Sequence, residues 1–300
     1  TQGAIRSTPA IANGVAYFGS TDSYFYAIDA ASGTEKWKFK TGGAIGSSPA
    51  VVNNVVWFSS RDGKLYALDA ASGNEIWKFQ FGSDLGFNNL WDFYLSSPNI
   101  VDEILYIGSG DGNLYAIDIL SKNVKWKFNS GARIRCTPAV SEDAVYFGTI
   151  GGHFYGVNKS DGKLKWKFST ENSSFNIEET GTDRVGVYCS PSISVKNNLA
   201  AFGGRDGILY VLNLSDGKLK WKKDYEGPWV LSTAIKDNNL FVGTGSSALL
   251  QCFDINTGVN VWSFIAAGMI FSSLTIVENS IYCSDFSGNV YALDNSSGEK

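Results

Sequence analysis

The chain has 300 residues, 44% of them hydrophobic and 14% aromatic, and 25 Lys and Arg against 29 Asp and Glu leave a net charge of −4. This is far too apolar for a disordered chain and supplies an extended core, while the charge balance offers no global attraction to nucleic acid. No run of eighteen apolar residues occurs, which excludes a membrane-spanning helix from this sequence.

In chain order, the sequence repeats itself. Ser7 to Phe39 is followed by a clearer copy from Ser47 to Phe79, then by Ser96 to Phe128 and Cys136 to Phe168. Weaker copies start near Cys189, Ser232 and Ser272, so seven repeats begin near 7, 47, 96, 136, 189, 232 and 272. A fixed period of this size is the mark of a repeat architecture. Within the second copy, Pro49 to Asn53, Val55 to Ser60, Lys64 to Leu68 and Glu75 to Gln80 are strand-length runs rich in β-branched and aromatic residues. Hairpin chemistry separates them: Asn53-Asn54, then Asp62-Gly63, then Ala70 to Gly73. Each copy therefore predicts a four-stranded antiparallel meander. No copy holds ten to fifteen residues of helical periodicity, so a parallel βαβ fold has no crossovers. Sheets apolar on both faces, as in Val55 to Phe58, must bury both against neighbours, and radial stacking does so.

Trp37, Trp77, Trp126, Trp166, Trp221 and Trp262 each stand eight residues after an Asp or Asn, and five of them four after a glycine. These six indoles are expected to dock one sheet on the next, with glycine supplying positive φ in the turn. Lys122 replaces that glycine in the third copy, where a looser turn is expected. Lysines beside the tryptophans alternate with apolar residues on the outermost strand, a pattern that discourages edge pairing. Read as a nucleic-acid surface they fail, since they ring the circumference instead of forming one patch.

The run Tyr66-Ala67-Leu68-Asp69-Ala70-Ala71-Ser72-Gly73-Asn74-Glu75-Ile76-Trp77 resembles the AxDxxTGxxxW repeat of the pyrroloquinoline-quinone (PQQ) propeller family, and the resemblance covers essentially the whole chain. It implies an all-β β-propeller of four-stranded antiparallel blades, one domain over residues 1–300, with the seven visible repeats read as an incomplete eight-bladed ring. The family includes calcium- and PQQ-dependent dehydrogenases and non-enzymatic members such as the outer-membrane assembly lipoprotein BamB; the sequence stands nearest the latter. By that analogy the expected location is extracytoplasmic and the expected state monomeric. Family dehydrogenases hold the quinone against two adjacent cysteines and bind calcium through Glu, Asn and Asp. Here Cys136, Cys189, Cys252 and Cys283 are far apart, with neither CxxC nor metal-site spacing. They are expected to be small buried thiols. Neither catalytic nor metal-ligating residues are assigned, and no cofactor is expected; PQQ and calcium belong to the alternative reading, a quinoprotein dehydrogenase. His153 starts a third strand without a partner in the pattern, and Asp22, Asp62, Asp111 and Asp206 occupy second hairpins as turn formers.

One asymmetry remains. All six arginines, Arg6, Arg61, Arg133, Arg135, Arg184 and Arg205, lie just before a first strand or in the hairpin joining second to third strands, connections that share a face of a meander. Two long insertions, Gln80 to Leu95 and Lys167 to Tyr188, are connections of the same class; they bring Phe87, Trp91, Phe93, Tyr94, Phe175 and Tyr188, joined by Trp229 and Phe271 from equivalent spots. The expected binding face therefore comprises Arg6, Trp91, Arg133, Arg135, Arg184, Tyr188, Trp229 and Phe271, recognising a protein partner or a small anionic ligand. The bland alternative is that these aromatics only pack loops onto blades.

Overall fold

The computed structural model describes residues 1–85, 95–171, 185–225, 227, 229–245 and 247–300. Among them are strands and turns, with no helix, in seven antiparallel sheets; strands follow chain order, six sheets having four strands and the last three. This is the blade organisation of a β-propeller. The residues group into two compact units, 1–138 with the first three sheets and 139–300 with the remaining four.

The second sheet shows the rule. Its strands are β5 (Ala50–Val52), β6 (Val55–Ser60), β7 (Lys64–Asp69) and β8 (Glu75–Gln80), within a residue or two of the runs read from the sequence. Asn53 and Asn54 take φ 52° and 60°, the paired left-handed geometry that matches strand twist in a two-residue hairpin. At the next hairpin Asp62 accepts from the Lys64 N–H at 3.2 Å and from the Tyr66 hydroxyl at 2.6 Å. The same carboxylate accepts from Gly42 N–H at 2.9 Å, fastening the connection that enters the sheet. Asp111 repeats the device with Tyr115 and Gly82, and Asp22 with Tyr26 and Gln2. These aspartates are turn residues.

The Trp-to-glycine spacing acquires a double meaning. Trp37 Nε1 donates to Ala70 O at 3.0 Å, one residue after the motif Asp69 of the following sheet. A Cβ on Gly73 would fall 2.6 Å from the Trp37 ring, so this turn needs glycine for its φ of 74° and for the indole lying on it. The second unit repeats the arrangement: Trp166 Nε1 reaches Leu214 O at 2.8 Å, Trp221 reaches Ile255 O at 2.7 Å and Trp262 reaches Asn295 O at 3.2 Å. Trp77 lies 5.9 Å from Trp57, and Trp126 5.9 Å from Tyr106. Between indoles, phenylalanines stack face to face, Phe25 on Phe58 at 4.1 Å and Phe154 on Phe202 at 4.0 Å. On the inner strands, the Thr8 and Ser48 N–H groups donate to Ser48 Oγ and Ser97 Oγ, both at 2.9 Å, stitching successive sheets.

The third-copy turn corrects one expectation. Lys122 takes φ 62° and its N–H donates to Asp118 O at 2.8 Å, the same closure that Gly73 makes with Asp69. The turn is not looser. Asp118 also accepts from the Leu120 and Ser121 N–H groups, which offsets a left-handed conformation costing about 1–2 kcal/mol for a residue with a Cβ. All four cysteines are buried free thiols. Burial pushes Cys189 up to about 11 and Cys252 up to about 12, so neither is an activated nucleophile.

Candidate functional site

Five of the eight binding-face residues expected from the sequence, Arg133, Arg135, Tyr188, Trp229 and Phe271, fall into two local arrangements, one in each unit. In the first unit Arg133 and Arg135 are 7% and 3% exposed. Arg133 donates to the Leu85 carbonyl from Nε at 2.6 Å and from a terminal nitrogen as well. Arg135 donates to the Asp84 carboxylate at 2.8 Å. Both guanidiniums hold the connection that leaves the second sheet, about fifty residues upstream in the chain. Arg61 and Arg135 line a cavity of about 30 Å³ with Asp84, Ser59, Ser60 and Ser96. Arg6 is exposed on the connection into the first sheet. Trp91 and Arg184 lie outside the described residues, as do Phe87, Phe93, Tyr94 and Phe175.

In the second unit the aromatic residues form a row. Tyr188 and Trp229 have ring centroids 6.3 Å apart, Trp229 and Phe271 meet edge to face at 6.1 Å, and Phe271 meets Phe286 at 5.5 Å. The Arg205 guanidinium sits 4.2 Å over the Trp229 ring, a cation–π contact. Tyr188 is buried, Trp229 and Phe271 half-buried, and Phe286 75% exposed. The row thus runs from core to solvent.

Periodicity explains how the fold delivers it. In each of several sheets, an N–H in the second hairpin donates to a carbonyl of the incoming connection: Thr21 to Ala4, Arg61 to Ala44, Arg205 to Gly186, Gly245 to Trp229 and Phe286 to Met269. Trp229 therefore occupies a place held elsewhere by Ala4, Ala44, Gly186 and Met269. It does so at φ 81°, a conformation costing a bulky residue about 1–3 kcal/mol. A Cβ on Gly245 would lie 2.8 Å from that of Trp229, so glycine there makes room for it. Phe286 was not among the residues expected at this face. It stands where the hairpins of other sheets carry Thr21, Arg61 and Arg205, and a large apolar residue at a solvent-facing turn was the available signal.

Other titratable groups stay outside both arrangements. His153 faces Ser169 Oγ at 3.2 Å, and burial together with the Lys167 charge lowers its pKa. Asp206 accepts from the Ile208 N–H and the Tyr210 hydroxyl in a turn, and Asp285 accepts likewise from Tyr291. The sequence has no adjacent cysteines of the kind that family dehydrogenases set against the quinone, and among the described residues no three His, Cys, Asp or Glu side chains gather as metal ligands.

Comparison with known proteins adds a lineage. A family model described as outer membrane protein assembly factor BamB matches residues 1–90 and 88–300. The chain is 33% identical over 113 residues to a tetrathionate hydrolase of Acidithiobacillus ferrooxidans, covering 36% of this chain and 21% of that protein. It is 28% identical over 79 residues to outer membrane protein assembly factor BamB of Shewanella oneidensis, covering 26% of this chain and 20% of that protein. The matched stretches thus span about a fifth of each of these two curated proteins. Among solved structures, BamB from Moraxella catarrhalis superposes with TM-score 0.80 at 17% identity, covering 97% of this chain and 85% of that one. The computationally designed Ika8 protein superposes with TM-score 0.76 at 17% identity, covering 100% and 86%. At such identities the superpositions speak for fold alone.

Proposed function

This chain belongs to the outer membrane protein assembly factor BamB family of β-propellers, and from that premise we propose that it is a non-catalytic binding module that recognises a protein partner through its aromatic row. The observation that carries the reading is Trp229, half-buried in a left-handed conformation, with Arg205 over one ring face and Phe271 against its edge. Strain of this kind persists only where surrounding structure enforces it. Here it stands a tryptophan at a position that three other sheets fill with Ala4, Ala44 and Gly186 and the last with Met269. Trp, Tyr and Arg supply most interface hot spots, and Phe286 extends the row into solvent. The family's name places its reference members at the outer membrane, so an extracytoplasmic location belongs to the same proposal.

Site-specific photocrosslinking in the native host tests it. A crosslinker at position 286 captures one protein partner, a crosslinker at the outer-strand position 36 does not, and Trp229→Gly abolishes capture from 286. Equal capture from both positions, or none from 286, overturns the reading. The alternative, a quinone-dependent dehydrogenase, is separated by adding PQQ and calcium and following dye reduction with alcohols and sugars; no turnover is expected.

A further inference from the structure

We propose that the outer strand of the sixth sheet is a pairing edge for a second copy of this chain. The surface is separate from the aromatic row, and the inference does not rest on the role proposed for that row. It departs from the monomer expected by family analogy. The strand is β24 (Asn260–Ile265), which pairs with β23 (Leu249–Asp254) on one side and ends its sheet on the other. The first six sheets all end in such an edge, and charged side chains ordinarily guard it. The residue after the tryptophan is Lys38, Lys78, Lys127, Lys167 or Lys222 in the first five sheets, and Ser263 in the sixth. The residue three after it is Lys40, Gln80, Asn129, Ser169 or Asp224, polar each time, and Ile265 in the sixth. Before the tryptophan stands Val261, where Lys36, Lys125, Lys165 and Lys220 stand in other sheets. No residue of β24 is charged.

The apolar replacements are not buried. Val259, Val261 and Ile265 are 62%, 52% and 75% exposed, whereas Trp262 is 8% exposed and Phe264 packs beside it in the core. The Ala266 N–H donates to Ala248 O, so alternation along an antiparallel ladder turns the backbone groups of Ser263 and Ile265 away from β23. A second β24 laid antiparallel on this edge, with the two-fold axis at Ser263, sets Val261 of each copy opposite Ile265 of the other. Apolar residues then meet apolar residues, and no charge meets its like. In the same register each of the first five outer strands sets a lysine against its own copy. That self-complementarity names the occupant, and an isologous pairing of this kind closes as a dimer.

Sedimentation velocity of the full chain over a concentration series tests this. One strand pairing is a small interface, so the expected result is a reversible dimer whose share rises with concentration. Val261→Lys/Ile265→Lys gives β24 the lysines that the first sheet carries as Lys36 and Lys40, a pattern the repeat already folds. With ammoniums facing each other across the axis, dimerisation weakens about tenfold or more. Val261→Lys/Ile265→Glu sets opposite charges across the same axis and dimerises about tenfold better than the double-lysine variant. A chain that stays monomeric up to about 1 mM, a double-lysine variant that dimerises like the parent, or a lysine–glutamate variant no better than it overturns the proposal. Should a variant fail to fold, Ser263→Cys decides, since opposed residues in such a pair lie about 5.5 Å apart between Cα atoms, within disulfide reach, and the four native thiols are buried. Mild oxidation links two Ser263→Cys chains and leaves Lys38→Cys, at the equivalent place in the first sheet, unlinked. Equal linking from both, or none from Ser263→Cys, counts against the pairing.

Discussion

The arginine cluster of the first unit and the aromatic row of the second grow from the same kind of connection, yet the fold uses them in opposite ways. Arg133 and Arg135 turn inward, lose nearly all exposure, and take up a carbonyl and a carboxylate from a distant segment. Trp229 stays half-buried at a strained φ, and Phe286 at the end of its row stands in solvent. A planar cation that saturates itself within the chain holds a connection in place. A row that ends in an exposed phenylalanine and holds a tryptophan at a conformational cost is the one we propose for recognition. Position on a rim therefore does not by itself separate scaffold from recognition; burial, partners and strain do.

The largest effect that sharpens this contrast belongs to neither region. Trp166 is 8% exposed and hydrogen-bonded to Leu214 O, so Trp166→Ala is expected to cost about 3–5 kcal/mol in urea unfolding. Next comes Arg135→Ala, which strips a buried guanidinium from Asp84. Since Asp84 is 46% exposed and rehydrates, the cost is about 1–3 kcal/mol by the same measurement. Trp229→Gly has the opposite character. Relief of about 1–3 kcal/mol of backbone strain offsets lost packing and the entropy of glycine, so stability stays within about 1 kcal/mol of the parent. A loss as large as that of Trp166→Ala would move Trp229 into the structural class.

The smallest effect is read from pH. Burial pushes the Asp285 carboxyl up, but the Asn289 N–H and amide, the Tyr291 hydroxyl and the Ser287 N–H outweigh it and bring its pKa from the ordinary 3.8 to about 2. A lowered folded-state value means stabilisation that is present above 3.8 and lost as pH falls towards about 2. Asp206 runs the other way: burial outweighs the Tyr210 hydroxyl and the Ile208 N–H and raises its pKa. Its charge therefore costs stability as pH rises past 3.8. In a Tm series from acid to neutral pH, Asp285→Asn flattens the acid limb and lowers Tm at neutrality, whereas Asp206→Asn leaves neutral Tm unchanged or raised.

Much of the fold was legible because it is local and periodic. Strand runs, paired Asn turns, Asp62-type hairpins and the Trp–Gly spacing each follow from neighbours in sequence, and repetition averages out single departures such as Lys122. The membership of the aromatic row was partly legible, in that Tyr188, Trp229 and Phe271 share a connection class. Phe286 escaped because it comes from the facing hairpin, where arginine and aspartate are the marked residues of the repeat and an apolar substitute has no assigned place. The burial of Arg133 and Arg135 was not legible at all. It depends on Leu85 and Asp84, brought alongside by a connection whose path no local propensity specifies.

The central claim is that the aromatic row contacts a partner and does not support the fold. Its most direct test is a calorimetric titration of the partner captured at position 286 against the parent chain and Phe271→Ala/Phe286→Ala, with urea unfolding of both. The account predicts binding at least tenfold weaker, about 1.4 kcal/mol or more, with the unfolding free energy nearly unchanged. Unaltered affinity in a well-folded variant would contradict it.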